Sequence, residues 1–313
     1  MLEQMKIDVV IPTYRPGEEF LKLISRLQKQ KYEVNCIHVI NTETGEFPAE
    51  ALEKYENITV THISPQQFDH GATRDMGARM SKAEVVLFMT QDAVPQDDNL
   101  TLALMKAFED PEVGIAYGRQ LPARDCRVIE RYTRSFNYPK ESRVKQKEDL
   151  LQMGIKTYFC SDVCAAYRKS IYESLGGFID HTIFNEDMIM AGQEIQAGYK
   201  VAYVAEARVI HSHNYGCIQQ LRRNFDLAVS QKDHPEIFEG LRSEDEGIRL
   251  VKKTAGYLFH IKKPWLVAEL AVKSGFKYIG YRLGRRYQSL PQWLVLKLTM
   301  NPRYWDKQPK KYV

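Results

Sequence analysis

The feature of the sequence that most constrains its fold is a run of five apolar residues at 85–89 that leads directly into a polar turn. The turn is Thr90-Gln91-Asp92, and Pro95 closes the segment. A short, unbroken apolar run bounded by turn residues is typical of a strand buried on both faces of a parallel sheet. Ligands of such sheets bind at the carboxyl ends of the strands, so we interpret the turn and its carboxylate, Asp92, as part of a site. A core strand followed by an ordinary turn is the alternative.

The segments around this run alternate between strand and helix patterns. Strands are predicted near 6–11, 34–40 and 58–63, and apolar residues at i, i+3, i+4 and i+7 within 20–27 predict a helix between the first two. A short helix is expected between the second and third strands. Alternation of this kind predicts an α/β fold with a mostly parallel sheet flanked by helices.

Past the polar turn the pattern continues, with one interruption. A helix is predicted near 100–108 and strands near 113–118, 201–204 and 208–210. The segment 124–147 is dense in Arg, Lys and Tyr, and we expect a mobile excursion over the sheet there.

Composition limits the class of protein. With 313 residues and 44% hydrophobic content, the chain can bury a large core. Its five cysteines are an odd number without a C-x-x-C pair, which favours a reducing compartment over a disulfide framework or a zinc cage. No signal-peptide pattern and no run of about 18 apolar residues is present, so we expect a cytoplasmic chain. The glycine motifs of dinucleotide oxidoreductases and P-loop proteins are also missing from the sequence.

The charge is unevenly distributed along the chain. From Arg249 to the end, 15 Lys and Arg residues face only Glu269 and Asp306, a balance of +13. Because the whole chain carries +4, residues 1–248 carry −9. A basic tail on an acidic body predicts an anionic partner, either a membrane surface or a nucleic acid.

The basic tail also contains an amphipathic helical pattern. At 100° per residue, one narrow stripe holds the apolar side chains of Trp265, Val272, Phe276, Ile279 and Leu283. The flanks and back of this stripe hold Lys273, Lys277, Arg282, Arg285 and Arg286, which is the composition of a helix that lies on a membrane surface. The alternatives are packing of the stripe on the catalytic domain or on a second subunit, as in a homo-oligomer. We expect a domain at 1–240 followed by a basic helical region at 241–313.

An ordered set of motifs resembles the family 2 glycosyltransferases with the GT-A fold. The motifs are Val10-Ile-Pro-Thr-Tyr14, His70-Gly-Ala-Thr-Arg74, Thr90-Gln-Asp-Ala-Val-Pro95, Leu175-Gly-Gly-Phe178, Asn185-Glu-Asp187 and His211. They extend over roughly residues 5–215, and their order is far more specific than any one of them. The Thr-Gln-Asp-Ala-Val-Pro turn is most similar to that of bacterial rhamnosyltransferases that use dTDP-L-rhamnose.

The resemblance implies a pocket for the nucleotide at the ends of the first two strands. Pro12, Thr13 and Tyr14 would line it, together with either Asn41 or Glu43, between which the sequence does not choose. Further donor-binding residues are implied within or near the other motifs, and these are Arg74, Gln91, Asp92 and Asp162. Of these, Arg74 would assist the phosphates.

The resemblance also implies a divalent cation, Mn²⁺ or Mg²⁺, on the donor diphosphate. Many members have Asp-x-Asp at the central turn, whereas this chain has Thr90-Gln91-Asp92, so one carboxylate remains. One carboxylate is chemically sufficient for Mg²⁺, which keeps waters and substrate phosphates as its other ligands. His211 matches a position that often adds a ligand, and its nitrogen would suit Mn²⁺ better. A hydrogen-bonded structural histidine is the alternative.

The acidic pair Glu186-Asp187 matches the catalytic motif of the family. Asp187 would be the general base that takes the proton of the acceptor hydroxyl, while Glu186 would hold the acceptor or the start of the helix. A single displacement would invert the anomeric centre and convert β-linked dTDP-L-rhamnose into an α-rhamnoside.

The predicted protein is thus a cytoplasmic rhamnosyltransferase, peripheral on the inner face of the membrane. It would act on a lipid-linked saccharide acceptor in the synthesis of cell-surface polysaccharide, with no nucleic acid as partner. Three alternatives remain open. They are another donor such as a UDP-hexose, a nucleic-acid-binding protein that uses the basic tail, and a non-catalytic subunit, which the altered Asp-x-Asp turn suggests.

Overall fold

The computed structural model describes residues 5–241 and 243–306, which form two compact units. The first unit contains the chain up to Arg124 and the segments Asn137–Asp180 and Glu186–Ser212. The second contains Asp125–Phe136, His181–Asn185 and the chain from His213 onward. The second unit therefore starts before the predicted boundary at residue 240, and it takes up two short segments from earlier in the chain.

All nine strands of the described residues lie in the first unit and form one sheet. They are β1 (Ile7–Tyr14), β2 (Cys36–Thr42), β3 (Ile58–Ile63), β4 (Val85–Met89), β5 (Val94–Pro95), β6 (Val113–Leu121), β7 (Arg143–Lys145), β8 (Cys164–Arg168) and β9 (Lys200–Ile210). The strand order is β3-β2-β1-β4-β8-β6-β9-β5, with β7 paired to β9.

The sheet is parallel where the sequence predicts it and antiparallel at four pairings. Strands β3, β2, β1 and β4 run parallel, and so do β6 and β9. Strand β8 is inserted between β4 and β6 and runs antiparallel to both, while β5 and β7 pair antiparallel with β9. The predicted fold class, a mostly parallel sheet flanked by helices, is confirmed.

Thirteen α-helices occur in the described part of the chain. They are α1 (Glu18–Leu27), α2 (His70–Met80), α3 (Leu100–Ala107), α4 (Val128–Asn137), α5 (Leu150–Met153), α6 (Lys169–Ser174), α7 (Glu186–Gln196), α8 (Cys217–Asp233), α9 (Pro235–Phe238), α10 (Ser243–His260), α11 (Leu266–Gly284), α12 (Gln292–Leu298) and α13 (Pro302–Asp306). Helices α8 to α13 belong to the second unit.

The core of the first unit follows from the apolar patterns. All five residues of β4 are buried, as a central strand covered on both faces requires. The apolar stripe predicted at 20–27 is the buried face of α1, and it packs in the same core cluster as β4. The apolar positions therefore determine both which segments are central and which helix face they contact.

Three local predictions were wrong. Residues 43–57 contain turns instead of a short helix, because Gly45 and Pro48 interrupt a helical pattern there. The segment 124–147 contains α4 and β7, and Lys145 within it is buried. The two strands predicted at 201–204 and 208–210 are one strand, β9, with a register irregularity against β6.

The second unit is built around the contact between α8 and α11. Gly280 and Gly284 of α11 permit it, since a Cβ at either position would lie within 2.3 Å of a carbonyl oxygen of α8. Further apolar side chains pack around this pair, namely Ile183, Phe225, Val229, Val295 and Tyr304. Within residues 5–241 and 243–306, no helix has the length and apolarity to cross a membrane.

Candidate active site

The predicted site residues gather at one edge of the sheet in the first unit. The parallel strands β1, β2 and β4 all end at this edge, which brings their exit turns together. Strand β8 runs the other way, with Met89 opposite Cys164, so the residues that precede β8 reach the same edge. A hydrogen bond from the Thr90 N–H to the Val163 carbonyl connects the β4 turn to that segment. Because β8 is antiparallel to β4, the residue Asp162 that precedes β8 lies at the same edge as the ends of the parallel strands.

The residues predicted to line the nucleotide pocket are tied together by hydrogen bonds. The Thr13 hydroxyl donates to Asn41 Oδ1 at 3.0 Å, and the Asn41 amide nitrogen lies 3.1 Å from His62 Nδ1. Gln91 forms two bonds with the backbone of Tyr14, accepting from its N–H at 2.9 Å and donating to its carbonyl at 3.0 Å. Gln91 therefore joins the ends of β1 and β4.

Asn41 and Glu43, the two candidates after β2, differ in their surroundings. Asn41 is buried and bridges β1 and β3, whereas Glu43 is exposed. Pro12 is half-buried and the Tyr14 ring is 49% exposed, so the wall at the end of β1 retains accessible surface. The side chain of Asn41 therefore connects the strand ends, while the side chains of Glu43 and Tyr14 are accessible to solvent.

Helix α2 places Arg74 inside the first unit. The helix begins after Asp69, whose carboxylate accepts hydrogen bonds from the N–H groups of Gly71 and Ala72. Gly71 allows a close approach, since a Cβ there would lie 2.3 Å from the Ile179 carbonyl oxygen. As a result the guanidinium of Arg74, one turn further on, is directed into the protein and is only 6% exposed.

Arg74 is surrounded by three acidic side chains. Its Nε lies 3.4 Å from Asp162 Oδ2, and its Nη1 lies 3.2 Å from Glu186 Oε1. Asp187 belongs to the same cluster, because its Oδ2 accepts a 3.2 Å hydrogen bond from the Asp162 N–H. Burial by itself would lower the pKa of Arg74, but the carboxylates of Glu186 and Asp162 raise it, so Arg74 is a permanent cation here. The sequence analysis predicted that Arg74 assists the donor phosphates. In the structure its guanidinium forms ion pairs with the carboxylates of Asp162 and Glu186.

Asp187 differs from its neighbours in accessibility. Arg74, Asp162 and Glu186 are buried, while Asp187 is only half-buried at the start of α7. Its Oδ1 accepts a 2.7 Å hydrogen bond from the Met188 N–H, which together with the bond from Asp162 fixes the carboxylate. Burial, followed by repulsion from Glu186, raises the pKa of Asp187 to about 7. A fixed carboxylate with such a pKa can accept a proton near neutral pH.

Asp92 and His211 are brought together by strand pairing. Val94 of β5 lies opposite Ile210 of β9, so the residue that follows β9 is adjacent to the turn that precedes β5. His211 Nε2 lies 3.5 Å from Asp92 Oδ2, beyond the usual length of an N–H···O hydrogen bond. A carboxylate oxygen and an imidazole nitrogen at this separation are a suitable pair of ligands for Mn²⁺ or a similar cation.

Sequence reasoning missed several residues that support the site. Gln120, at the end of β6, bonds to His211, Tyr138 and Ser161. The buried Tyr167 donates a 2.7 Å hydrogen bond to Asp162 Oδ1. Gln120 is the next to last residue of a strand that ends at the site, and that position is the only sequence signal that could have indicated it.

The arrangement therefore offers two chemically distinct groups on one sheet edge. One is the carboxylate of Asp187, which has the chemistry of a proton acceptor and is backed by a buried cation and two further acids. The other is the pair Asp92 and His211, whose oxygen and nitrogen atoms have the chemistry of cation ligands. These are the parts that transfer of a group from a diphosphate to a hydroxyl requires, namely a base for the hydroxyl and a counter-charge for the diphosphate.

Solved structures share this fold. A mannosyltransferase of Pyrobaculum calidifontis, solved in complex with GDP-Man and Mn²⁺, superimposes with a TM-score of 0.59 at 15% identity and covers 97% of this chain and 88% of its own. TarS of S. aureus, residues 1–349, gives a TM-score of 0.54 at 16% identity and covers 91% of both chains.

The sequence comparisons are more specific. Residues 8–176 match the family described as glycosyl transferase family 2. The O-antigen chain rhamnosyltransferase RfbN of Salmonella typhimurium is 38% identical over 306 residues, which are 96% of each chain. WbaN of Salmonella anatum, a protein of the same description, is 37% identical over 95% of each chain. The resemblance predicted from the motifs is confirmed, and the chain is a glycosyltransferase that belongs to glycosyl transferase family 2.

Proposed function

We propose that this protein transfers L-rhamnose from dTDP-β-L-rhamnose to a saccharide acceptor with inversion of the anomeric centre. The observation that carries the proposal is the setting of Asp187, the accessible acid of a buried charged cluster. Rhamnose as the donor sugar is supported by the two relatives described as O-antigen chain rhamnosyltransferases, and those descriptions also support a growing polysaccharide as acceptor.

In the proposed reaction Asp187 accepts the proton of an acceptor hydroxyl. The hydroxyl oxygen forms a bond to the anomeric carbon of rhamnose as the bond from that carbon to the diphosphate oxygen breaks, and dTDP departs with the bonding electrons. Because attack and departure take place on opposite faces, the β-linked donor gives an α-rhamnoside. The hydrogen bonds from the N–H groups of Asp162 and Met188 keep the Asp187 carboxylate oriented throughout.

Asp92 and His211 would hold a divalent cation, Mn²⁺ or Mg²⁺, against the donor diphosphate. When bound, such a cation neutralises the charge that develops on the departing dTDP. The Mn²⁺ in the structurally similar mannosyltransferase supports this choice. The side-chain amide of Gln91 bonds to the backbone of Tyr14, and these two residues would form the adjacent wall of the donor site. Glu43, exposed after β2, would contact the nucleoside.

The proposal is tested by assaying purified protein with a panel of nucleotide sugars, with and without chelator. We expect dTDP-L-rhamnose to be hydrolysed or transferred, with loss of turnover when the cation is removed. Preference for a UDP-hexose would overturn the donor assignment, and salt-sensitive binding to nucleic acid without any turnover would favour the different class of protein.

The base is tested by Asp187→Asn, which keeps the shape of the side chain but cannot take the proton. We expect turnover to fall by about 10²-fold or more. Asp245→Asn is the matched control, since Asp245 also lies in the first turn of a helix, α10, and is exposed. Near wild-type turnover by the Asp187 variant would reject the assignment.

We also propose that the second unit binds the inner face of the membrane, where a lipid-linked acceptor would be found. Three residues of the predicted stripe are exposed, with Trp265 67%, Val272 53% and Ile279 49% accessible. The other two, Phe276 and Leu283, are half-buried, and Leu283 packs against the core of the second unit. Along a helix, positions 265 and 279 are separated by about 21 Å. Three exposed arginines lie at the C-terminal end of this helix, namely Arg282, Arg285 and Arg286. An exposed apolar stripe beside arginines is complementary to an anionic lipid surface.

The full chain should therefore sediment with vesicles that contain phosphatidylglycerol and much less with phosphatidylcholine alone. Combined substitution of Trp265, Val272 and Ile279 by Ser should weaken this binding by about tenfold or more. The matched control replaces Val144 and Leu151, which are exposed apolar residues of the first unit, by Ser. If the stripe variant still binds vesicles and instead changes a dimer into a monomer by light scattering, the stripe is a subunit contact.

A further inference from the structure

The imidazole Nδ1 of His211 contacts the side-chain oxygen of Gln120, a residue outside the predicted site. We propose that Gln120 is a positioning residue that fixes His211 in the tautomer with its proton on Nδ1, so that Nε2 presents a lone pair to the cation shared with Asp92. The inference rests on the proposed cation site, and it concerns a residue that no sequence motif indicated.

The geometry places Gln120 and Asp92 on opposite sides of the imidazole ring. His211 Nδ1 lies 3.1 Å from Gln120 Oε1, and His211 Nε2 lies 3.5 Å from Asp92 Oδ2. Both His211 and Gln120 are buried, at 7% and 2% exposure. The backbone reinforces the arrangement, because the His211 N–H donates to the carbonyl of Leu121, the residue after Gln120.

The orientation of the Gln120 amide determines the tautomer. Its NH₂ group donates to the Tyr138 hydroxyl at 2.6 Å and to the Ser161 hydroxyl at 3.0 Å, which leaves the carbonyl oxygen facing the ring. An amide oxygen can only accept, so Nδ1 must be the protonated nitrogen of a neutral ring. The other nitrogen, Nε2, then carries the lone pair that ligates a metal.

The reversed amide would have the opposite effect. With its NH₂ group facing the ring, Nδ1 would accept and the proton would lie on Nε2, which would prevent ligation by that atom. In the observed orientation both hydroxyls accept from the amide, and the ligating form results. They also connect the two parts of the site, since Ser161 immediately precedes Asp162, whose N–H bonds to Asp187.

The tautomer can be read directly in metal-free protein by ¹⁵N NMR of the histidine rings at alkaline pH, with His211→Gln to assign its signals. We expect the pattern of an Nδ1-protonated ring in the wild-type chain. A ring protonated on Nε2 would overturn the inference. This measurement needs neither donor nor turnover, so its outcome is separate from that of the proposed reaction.

The consequence for the cation is tested with Mn²⁺ alone, by electron paramagnetic resonance of the free ion. Gln120→Met removes the acceptor and should weaken Mn²⁺ binding by about 10- to 100-fold. Gln120→Glu restores an acceptor and should rescue it. Ser135→Ala is the matched control, since Ser135 is exposed and lies outside the site, and it should retain wild-type affinity and the Nδ1 tautomer.

The outcomes separate positioning from a structural role. Unchanged Mn²⁺ affinity in Gln120→Met would overturn the inference, and so would equal losses in the Met and Glu variants. Thermal unfolding of each variant identifies losses that arise from the fold alone. A wild-type chain that binds no Mn²⁺ would reject the proposed cation site, while the NMR result would still decide the tautomer.

Discussion

The guanidinium of Arg74 and the carboxylate of Glu186 form a buried ion pair, with Nη1 and Oε1 3.2 Å apart. The two residues are 112 positions apart in the chain, Arg74 on the second turn of α2 and Glu186 at the start of α7. Asp162 and Asp187 complete the cluster. The positive charge of Arg74 therefore offsets the repulsion and the desolvation cost of three acids inside the protein.

Removal of this cation by Arg74→Met should affect both stability and the pH dependence of transfer. The free energy of unfolding should fall by about 3–5 kcal/mol, since buried acids lose their partner. The pKa of Asp187, which Arg74 lowers, should rise, so the acidic limb of kcat/KM should move to higher pH. Urea unfolding and a pH–rate profile measure the two effects.

Arg79→Met is the control for this experiment, because Arg79 lies on the same helix and is exposed, with its side chain 76% accessible. It should leave the pH profile unchanged. If Arg74→Met also leaves the profile unchanged, Arg74 does not influence the base.

Glu186 should influence the pKa of Asp187 in the opposite direction to Arg74. Asp187 must be ionised to accept a proton, and its pKa is raised to about 7, so kcat/KM of the wild-type enzyme should rise with pH through this value. Glu186 contributes to the raised pKa by repulsion, after burial. Glu186→Gln should therefore shift the acidic limb to lower pH. A shift in the same direction as that of Arg74→Met would contradict this electrostatic account of the cluster.

A second buried acid, Glu194 of α7, should make the folded state sensitive to alkali. Neither of its carboxyl oxygens has a hydrogen-bond partner among the described residues, and burial raises its pKa well above the usual value. A group whose pKa is raised on folding favours the folded state at low pH, and this contribution is lost as the pH rises through the folded-state pKa. Glu194→Gln should therefore flatten the decline in unfolding free energy as the pH rises above 4.5, the ordinary pKa of a glutamate.

The measurement is urea unfolding over that pH range, with Glu53→Gln as the control at an exposed site. Parallel pH profiles for the wild-type chain and the Glu194 variant would show that this carboxyl does not titrate on unfolding.

The contact between α8 and α11 should be intolerant of a single methyl group. A Cβ on Gly280 would lie 2.1 Å from the Leu221 carbonyl oxygen, so Gly280→Ala must separate the helices and should cost about 1–3 kcal/mol. Gly275 lies on the same helix with no atom within 4 Å of the corresponding position. Gly275→Ala should instead stabilise the chain by up to about 1 kcal/mol, because alanine favours a helix. Equal melting temperatures of the two variants would refute the close contact.

Much of the first unit could be predicted from local patterns. The run at 85–89 is the central strand β4, the apolar stripe of α1 is its buried face, and β3 has the predicted bounds. The stripe on α11 was also predicted as a pattern. Which partner covers it is a question that an amphipathic period cannot answer, because the period defines a face and not its neighbour.

The sequence by itself determined the fold class, the family and the turn at Asp92, because burial periodicity and short motifs are local properties of the chain. The tertiary structure decided which charges meet. Arg74 is placed among acids by the packing of α2 and α7, and His211 faces Asp92 because β5 pairs with β9. Gln120 became visible only in three dimensions, since its effect depends on the orientation of one amide toward a ring 91 residues away. Such contacts depend on strand register and side-chain direction, which no local pattern encodes.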